Sequence, residues 1–323
     1  MQALNVRPPD YFPRATAAIP QIIEAVQALL MAGVAYEAAG SVYFEVAAWP
    51  EYGRLSHIPH ADMLPIANEH GNQADDPYKK APLDFVLWQA QKDDEPAWQS
   101  PWGVGRPGWH IECSTIAHSF LGEPVDIHMG GADLLFPHHE SEAAQREAVN
   151  GEQPFVRFWL HTAMVAHEGE KMSKSLGNLV MVRDLLPRYS ADALRLYLAQ
   201  HHYRQPWSYD QASLERAAQY VEKLKAALTA VSTGTKPINL TPAQNRFAAA
   251  LEEDLDTPKG VATLLNVADE IMFRAPNGYR VDEAQALLRQ WSAVFGVRLD
   301  AETPEKHVAA GWQEHRQLFE EKS

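Results

Sequence analysis

The feature that most constrains this chain is a change of pattern near residue 191, after which almost every segment repeats its apolar residues at helical spacing. Helices are expected near 192–200, 211–231, 242–254, 258–273 and 281–295, separated by Gly, Pro and Ser-Thr breaks such as Ser232-Thr233-Gly234-Thr235-Lys236-Pro237. Helices this short bury their apolar stripes only against one another, so the second half reads as an antiparallel helical bundle.

The first half reads differently. Residues 15–32 carry Ile19, Ile22, Ile23, Val26, Leu29 and Leu30 on one helical face, with Gly33 as the stop. Residues 41–46 form a β-branched and aromatic run expected as a strand, 52–80 are polar and loop-like, and 83–89 are apolar and extended. Between 105 and 170, Gly-rich turns alternate with short apolar runs such as Val125-Asp126-Ile127-His128 and Phe158-Trp159-Leu160, the pattern of part of an α/β sheet. The expected class is therefore α/β plus all-α.

Composition narrows function by exclusion. The 323 residues hold 28 Lys plus Arg against 42 Asp plus Glu, a net charge of -14, so the chain does not hold nucleic acid mainly by a basic surface. Any nucleic-acid role has to be local. No run is apolar and long enough to cross a bilayer, no charged-then-apolar leader follows Met1, and Cys113 is the single cysteine, so a reducing, cytoplasmic setting is expected.

Three constellations carry chemistry. Lys171-Met172-Ser173-Lys174-Ser175, with Leu176-Gly177-Asn178 after it, sets two lysines among small hydroxyl residues, a pattern suited to neutralising charge on a pyrophosphate leaving group. A pair of solvated surface lysines is the bland alternative. Cys113, His138, His139 and Glu142 form the second. His138 and Glu142 lie four apart and share a helical face, and Cys113 is expected to join them from a neighbouring strand or turn. Thiolate, imidazole and carboxylate are plausible zinc donors, supported by His139 or Glu140, while a packed cysteine beside core histidines is the alternative. The third is Asp126-Ile127-His128-Met129-Gly130-Gly131-Ala132-Asp133, where Gly130 and Gly131 permit close backbone approach to a ligand and Asp133 can reach a ribose hydroxyl. Trp109 stands beside it, either as the wall of a small pocket or as core.

The lysine string resembles the second signature of class I aminoacyl-tRNA synthetases, and the whole set resembles the cysteinyl-tRNA synthetase family. The matching strings, in family order, are Ala3-Leu4-Asn5-Val6 with Pro13-Arg14-Ala15-Thr16, Asp84-Phe85-Val86-Leu87-Trp88, residues 106–114, 126–142 and 169–178, His202-Tyr203-Arg204, and Asp254-Leu255-Asp256-Thr257-Pro258. The resemblance implies the second half of a Rossmann-type catalytic fold: a connective insertion over 1–104, the half-fold with its zinc site over 105–165, the lysine-loop region over 166–208 and the bundle over 209–323. It implies zinc on Cys113, His138 and Glu142, a cysteine pocket shaped by Trp109 and His128, ATP bound by Gly130, Gly131, Asp133 and Lys174, and Lys171 and Lys174 acting on the phosphates. ATP-dependent activation of cysteine and its transfer to tRNA is the reaction the resemblance implies.

Departures from the family are also legible. The strand, the first zinc-binding Cys and the His-Ile-Gly-His string with which the family begins have no counterpart here. His57-Ile58-Pro59-His60 is a superficial echo in which Pro59 replaces the required glycine. The family's terminal anticodon-reading domain is also expected to be missing. These departures predict a three-ligand zinc site of partial occupancy and impaired catalysis by the chain alone. They also predict an exposed sheet edge covered by a complementing chain or by oligomerisation. The alternatives are a cysteine ligase of the mycothiol type and a non-catalytic paralogue binding tRNA, cysteine or a protein.

Overall fold

A computed structural model describes residues 1–151, 154–172 and 177–299, with Lys171 described by its backbone alone. The chain forms two compact units, one of Pro9–Ala163 and one of Met1–Pro8 with the described residues from Met164 onward.

The first unit opens with α1 (Ile19–Met31), which starts on Pro20 in its first turn. Its buried face is Ile19, Ile22, Val26 and Leu29, at the three- and four-residue spacing expected of it. A four-stranded antiparallel sheet follows, in the order β1 (Ala35–Ala38), β2 (Ser41–Phe44), β3 (Phe85–Ala90) and β4 (Gly105–Pro107). All four residues of β2 are buried, so this strand is covered on both faces. Between β2 and β3 lies α2 (His60–Glu69), where the sequence predicts only loop. The helix contains Pro65 and buries only Met63 and Ala67, too weak an apolar stripe to read without its tertiary contacts. Pro59 and His60 of the superficial signature merely start this helix.

Asp84 joins these pieces. It is fully buried and accepts hydrogen bonds from Val46 N, Ala81 N and the Tyr36 hydroxyl, at 3.0, 3.0 and 2.8 Å. The aspartate of the Asp84-Phe85-Val86-Leu87-Trp88 string thus serves the fold.

Beyond β4, Gly108 leads into α3 (Trp109–Leu121). Gly108 N donates to Leu87 O at 2.9 Å, and a Cβ on Gly108 would stand 2.0 Å from Val86 O, so only glycine lets the helix start this close to β3. The chain continues through β5 (Val125–Gly131), a kinked turn at Leu135–His139 with Phe136 extended (φ -138, ψ 135), α4 (Glu140–Asn150) and β6 (Val156–Thr162). Strands β5 and β6 pair in parallel, Ile127 opposite Phe158 and His128 opposite Trp159, as the α/β expectation requires.

The second unit begins with a small sheet in which β7 (Val165–His167) lies between β8 (Glu170–Lys171) and the later β9 (Trp207–Ser208). Glu168 (φ 53) and Gly169 (φ 83) form the two-residue turn between β7 and β8, and both take the left-handed conformation that such a hairpin needs. The helices are α5 (Val182–Leu185), α6 (Ala191–Ala199), α7 (Gln211–Thr229), α8 (Thr241–Glu252), α9 (Thr257–Arg274) and α10 (Asp282–Val294). Side chains of Ser190, Asp210 and Asp256 accept the first free amides of α6, α7 and α9. Helix α9 lies at the centre of the bundle core, burying Val261, Leu264, Val267, Ala268 and Ile271. Phe247 of α8 stacks on Trp291 of α10 at 4.1 Å and 1°. Arg195 fastens the N-terminal segment to this unit by donating to Leu4 O at 2.9 Å and to Phe295 O at 2.6 Å.

Candidate metal centre

The cysteine and histidine constellation assembles within the first unit. Cys113 sits on α3 rather than on a strand or turn, because the helix begins at Trp109 directly after Gly108. His138 closes the kinked turn and Glu142 lies in the first turn of α4, which brings them together at the expected four-residue spacing. The candidate donor atoms of Cys113, His138 and Glu142 lie within 4.8 Å of one another. A second set, His128, His139 and Glu142, meets the same limit and shares the carboxylate.

Glu142 is fully buried. Its Oε1 lies 2.7 Å from His138 Nε2 and its Oε2 lies 3.3 Å from His128 Nε2, yet neither oxygen has a hydrogen bond from any described residue. The ring nitrogens approach the carboxylate without directing an N–H at it. A buried carboxylate left this way is costly, and a divalent cation held by the carboxylate together with the neighbouring ring nitrogens would offset the cost. Sulfur, imidazole nitrogen and carboxylate oxygen are the donor types zinc takes, so these residues fit the metal.

The surrounding rings hold the donors in place. His138 Nδ1 lies 2.8 Å from His110 Nδ1, and His139 Nδ1 lies 2.8 Å from His161 Nε2. Trp109 stacks on His138 with ring centroids 4.3 Å apart, leaving its own ring about half exposed, and with His110 it lines a cavity of about 200 Å3. Burial pushes His110 down to about 3, and burial together with the neighbouring rings of His128, His161 and His138 pushes His139 to about 3. Burial also lowers His128, against the opposing pull of the Glu142 charge. The Cys113 thiol is driven up to about 12 by burial, then by the charges of Glu142 and Glu112.

Other expected site residues take different places. Gly130, next to last in β5, lies against His139, and a Cβ there would stand 2.7 Å from His139 Cε1, so this glycine makes room for a ring of the cluster. Gly131 follows it, and Asp133 lies in the single helical turn Ala132–Leu134. Glu140 does not support the donors. Its carboxylate turns to the loop before α2, accepting from Gly53 N at 2.9 Å and Ser56 N at 2.7 Å. Lys171 lies on β8, in the other unit, with only its backbone described, and Lys174 lies outside the described residues. No spacing rule in the sequence singles out His110, His161 or Trp159. The only signal available for His110 was its place three residues before Cys113.

Residues 1–219 match the family model of the tRNA synthetases class I (C) catalytic domain, and residues 246–300 match the DALR domain. The cysteine--tRNA ligase of Dehalococcoides mccartyi strain 195 is 43% identical over 303 residues, covering 93% of this chain and 65% of its own length. That of Symbiobacterium thermophilum is 42% identical, covering 91% and 66%. The chain thus spans about 65% of the length of such relatives. Among solved structures, Mycobacterium tuberculosis methionyl-tRNA synthetase in complex with methionyl-adenylate aligns with a TM-score of 0.58 at 17% identity, covering 91% of this chain and 73% of the other. A putative arginyl-tRNA synthetase from Campylobacter jejuni gives 0.58 at 12% identity, covering 93% and 66%. These two carry the fold alone. Among the described residues no helix is long and apolar enough to cross a membrane.

Proposed function

The chain belongs to the cysteinyl-tRNA synthetase family, within class I, and on that premise we propose that it holds zinc and recognises cysteine in an ATP-dependent cysteine--tRNA ligase reaction. The observation that carries this reading is the buried Glu142 carboxylate, free of hydrogen bonds from described residues and facing His138 beside Cys113.

In this reading Cys113, His138 and Glu142 hold zinc, with an open position left by a three-residue donor set. Bound zinc supplies a Lewis-acidic position that favours a thiolate over a hydroxyl. Trp109, stacked on His138, and His128, beside Glu142, shape the cysteine pocket. Gly130, Gly131 and Asp133 stand at the end of a parallel strand, where class I folds receive a nucleotide, and are assigned to ATP. Lys171 and Lys174 are assigned to the phosphates, where their charge would offset that developing on the departing pyrophosphate. Residues 1–104 are assigned to the connective insertion, although Met1–Pro8 fold with the second unit, 105–165 to the half-fold, 166–208 to the lysine-loop region and 209–323 to the bundle, of which 300–323 lie outside the described residues. tRNA, and a second chain or copy against the β5–β6 sheet, are the macromolecular partners of this scheme, and its setting is cytoplasmic. The identity to cysteine--tRNA ligases over 93% of the chain favours tRNA over a mycothiol-type acceptor.

The test is metal and amino-acid binding by the whole chain. Zinc measured after purification is expected to be sub-stoichiometric and to rise to one per chain on addition. The zinc-loaded chain should then bind cysteine and discriminate against serine, and cysteine-dependent ATP–pyrophosphate exchange reports the chemistry. Failure to take up zinc, or equal binding of serine, would overturn the assignment.

A further inference from the structure

Of the five histidine rings that contact one another in this cluster among the described residues, His110 makes a contact that the metal reading leaves unused. We propose that His110 is a positioning residue that fixes the tautomer of His138, so that His138 presents the Nε2 lone pair to the metal; this rests on the zinc reading above. The two rings meet Nδ1 to Nδ1 at 2.8 Å. At that separation two imidazoles share one proton, with one nitrogen donating and the other accepting. If His138 Nε2 faces Glu142 as a metal donor, its own proton sits on Nδ1, and His110 Nδ1 is then the acceptor. His110 therefore carries its proton on Nε2.

The local fold keeps the pair in register. His110 lies in the first turn of α3, one residue after Trp109, whose ring stacks on His138 at 4.3 Å, and it meets Phe85 of β3 edge-on at 5.4 Å. His110 is thus packed against the sheet on one side while its Nδ1 faces the donor. Metal-ligating histidines need such a partner on the second nitrogen, and losing it costs about 10–100-fold in metal affinity.

The experiment compares zinc affinities, by chelator competition, of the whole chain and three variants. His110→Phe keeps a ring and removes the acceptor, and should weaken zinc about 10–100-fold. His110→Asn puts Oδ1 near the former Nδ1 position and should restore most of the loss. His161→Phe removes the corresponding partner from His139, outside the proposed donor set, and should leave zinc affinity within about 3-fold of the parent. An unchanged affinity in His110→Phe, or an equal loss in His161→Phe, would overturn the proposal while leaving the zinc reading standing. No zinc binding by the unmodified chain would sink the zinc reading, and this inference with it. Should His110→Phe fail to fold, long-range 15N–1H spectra of the unmodified zinc-loaded chain decide: a proton on His110 Nε2 supports the proposal, and one on His110 Nδ1 refutes it.

Discussion

Glu142 Oε1 and His138 Nε2 stand 2.7 Å apart, with the carboxylate fully buried and neither of its oxygens hydrogen-bonded by a described residue. The pair is therefore aligned for a shared cation. Replacing Glu142 with Gln keeps the volume and removes the charge. Zinc affinity should fall at least about 100-fold, since a carboxylate ligand and its charge are lost together. Chelator competition measures the change, and an affinity within about 3-fold of the parent would remove Glu142 from the donor set.

Acid should weaken the metal-free chain early. His110 and His139 are both held near 3 in the folded state, mainly by burial, whereas an unfolded histidine titrates near 6.5. A depressed histidine contributes stability that is complete above the unfolded value and lost as pH falls through the window from about 6.5 toward 3. At pH 5 each ring should cost about 2 kcal/mol relative to pH 8. A denaturation midpoint that holds steady between pH 7 and pH 5 would contradict this assignment.

Gly108 couples the sheet to the donors. A Cβ there would stand 2.0 Å from Val86 O, a backbone atom that cannot swing aside, so Gly108→Ala has to push the start of α3 away from β3. Trp109, His110 and Cys113 all follow in that helix and would move together. The variant should lose about 1–3 kcal/mol of stability and bind zinc more weakly than the parent, measured at a temperature where both are folded. Normal zinc affinity with reduced stability would show that the helix adjusts without moving Cys113.

How much of this was legible beforehand follows from which contacts are local. The bundle helices could be placed almost to the residue, because each carries its own apolar stripe, and Asp210 and Asp256 mark two of the starts. The i, i+4 pair of His138 and Glu142 was readable for the same reason. What could not be read depends on partners distant in sequence. Strand β1, Ala35-Tyr36-Glu37-Ala38, has no apolar alternation and exists because β2 pairs with it. Helix α2 is held by burial of Met63 and Ala67 in the core, against the signal of Pro65. The contacts of His110 with His138 and of His139 with His161 span 28 and 22 residues, and no spacing rule connects them. Placing Cys113 on a helix required knowing that β4 ends at Pro107 and that Gly108 turns the chain.

Proton release from Cys113 should accompany metal uptake. Burial, followed by the charges of Glu142 and Glu112, raises its thiol to about 12, so in the metal-free chain it is protonated throughout the neutral range. A thiol raised above its unfolded value near 8.5 favours the folded state more as the proton is retained. That contribution is complete below about 8.5 and lost as pH rises toward 12. Zinc takes the thiolate, so binding has to expel this proton, and zinc affinity should climb about tenfold per pH unit between 7 and 8.5. Calorimetric titrations in two buffers of different ionisation enthalpy count the protons directly, with about one expected from Cys113. Cys113→Ser should remove both that proton and the pH slope and bind zinc far more weakly, since a hydroxyl stays protonated where a thiol can yield. A pH-independent zinc affinity, or retention of the slope in Cys113→Ser, would remove Cys113 from the donor set.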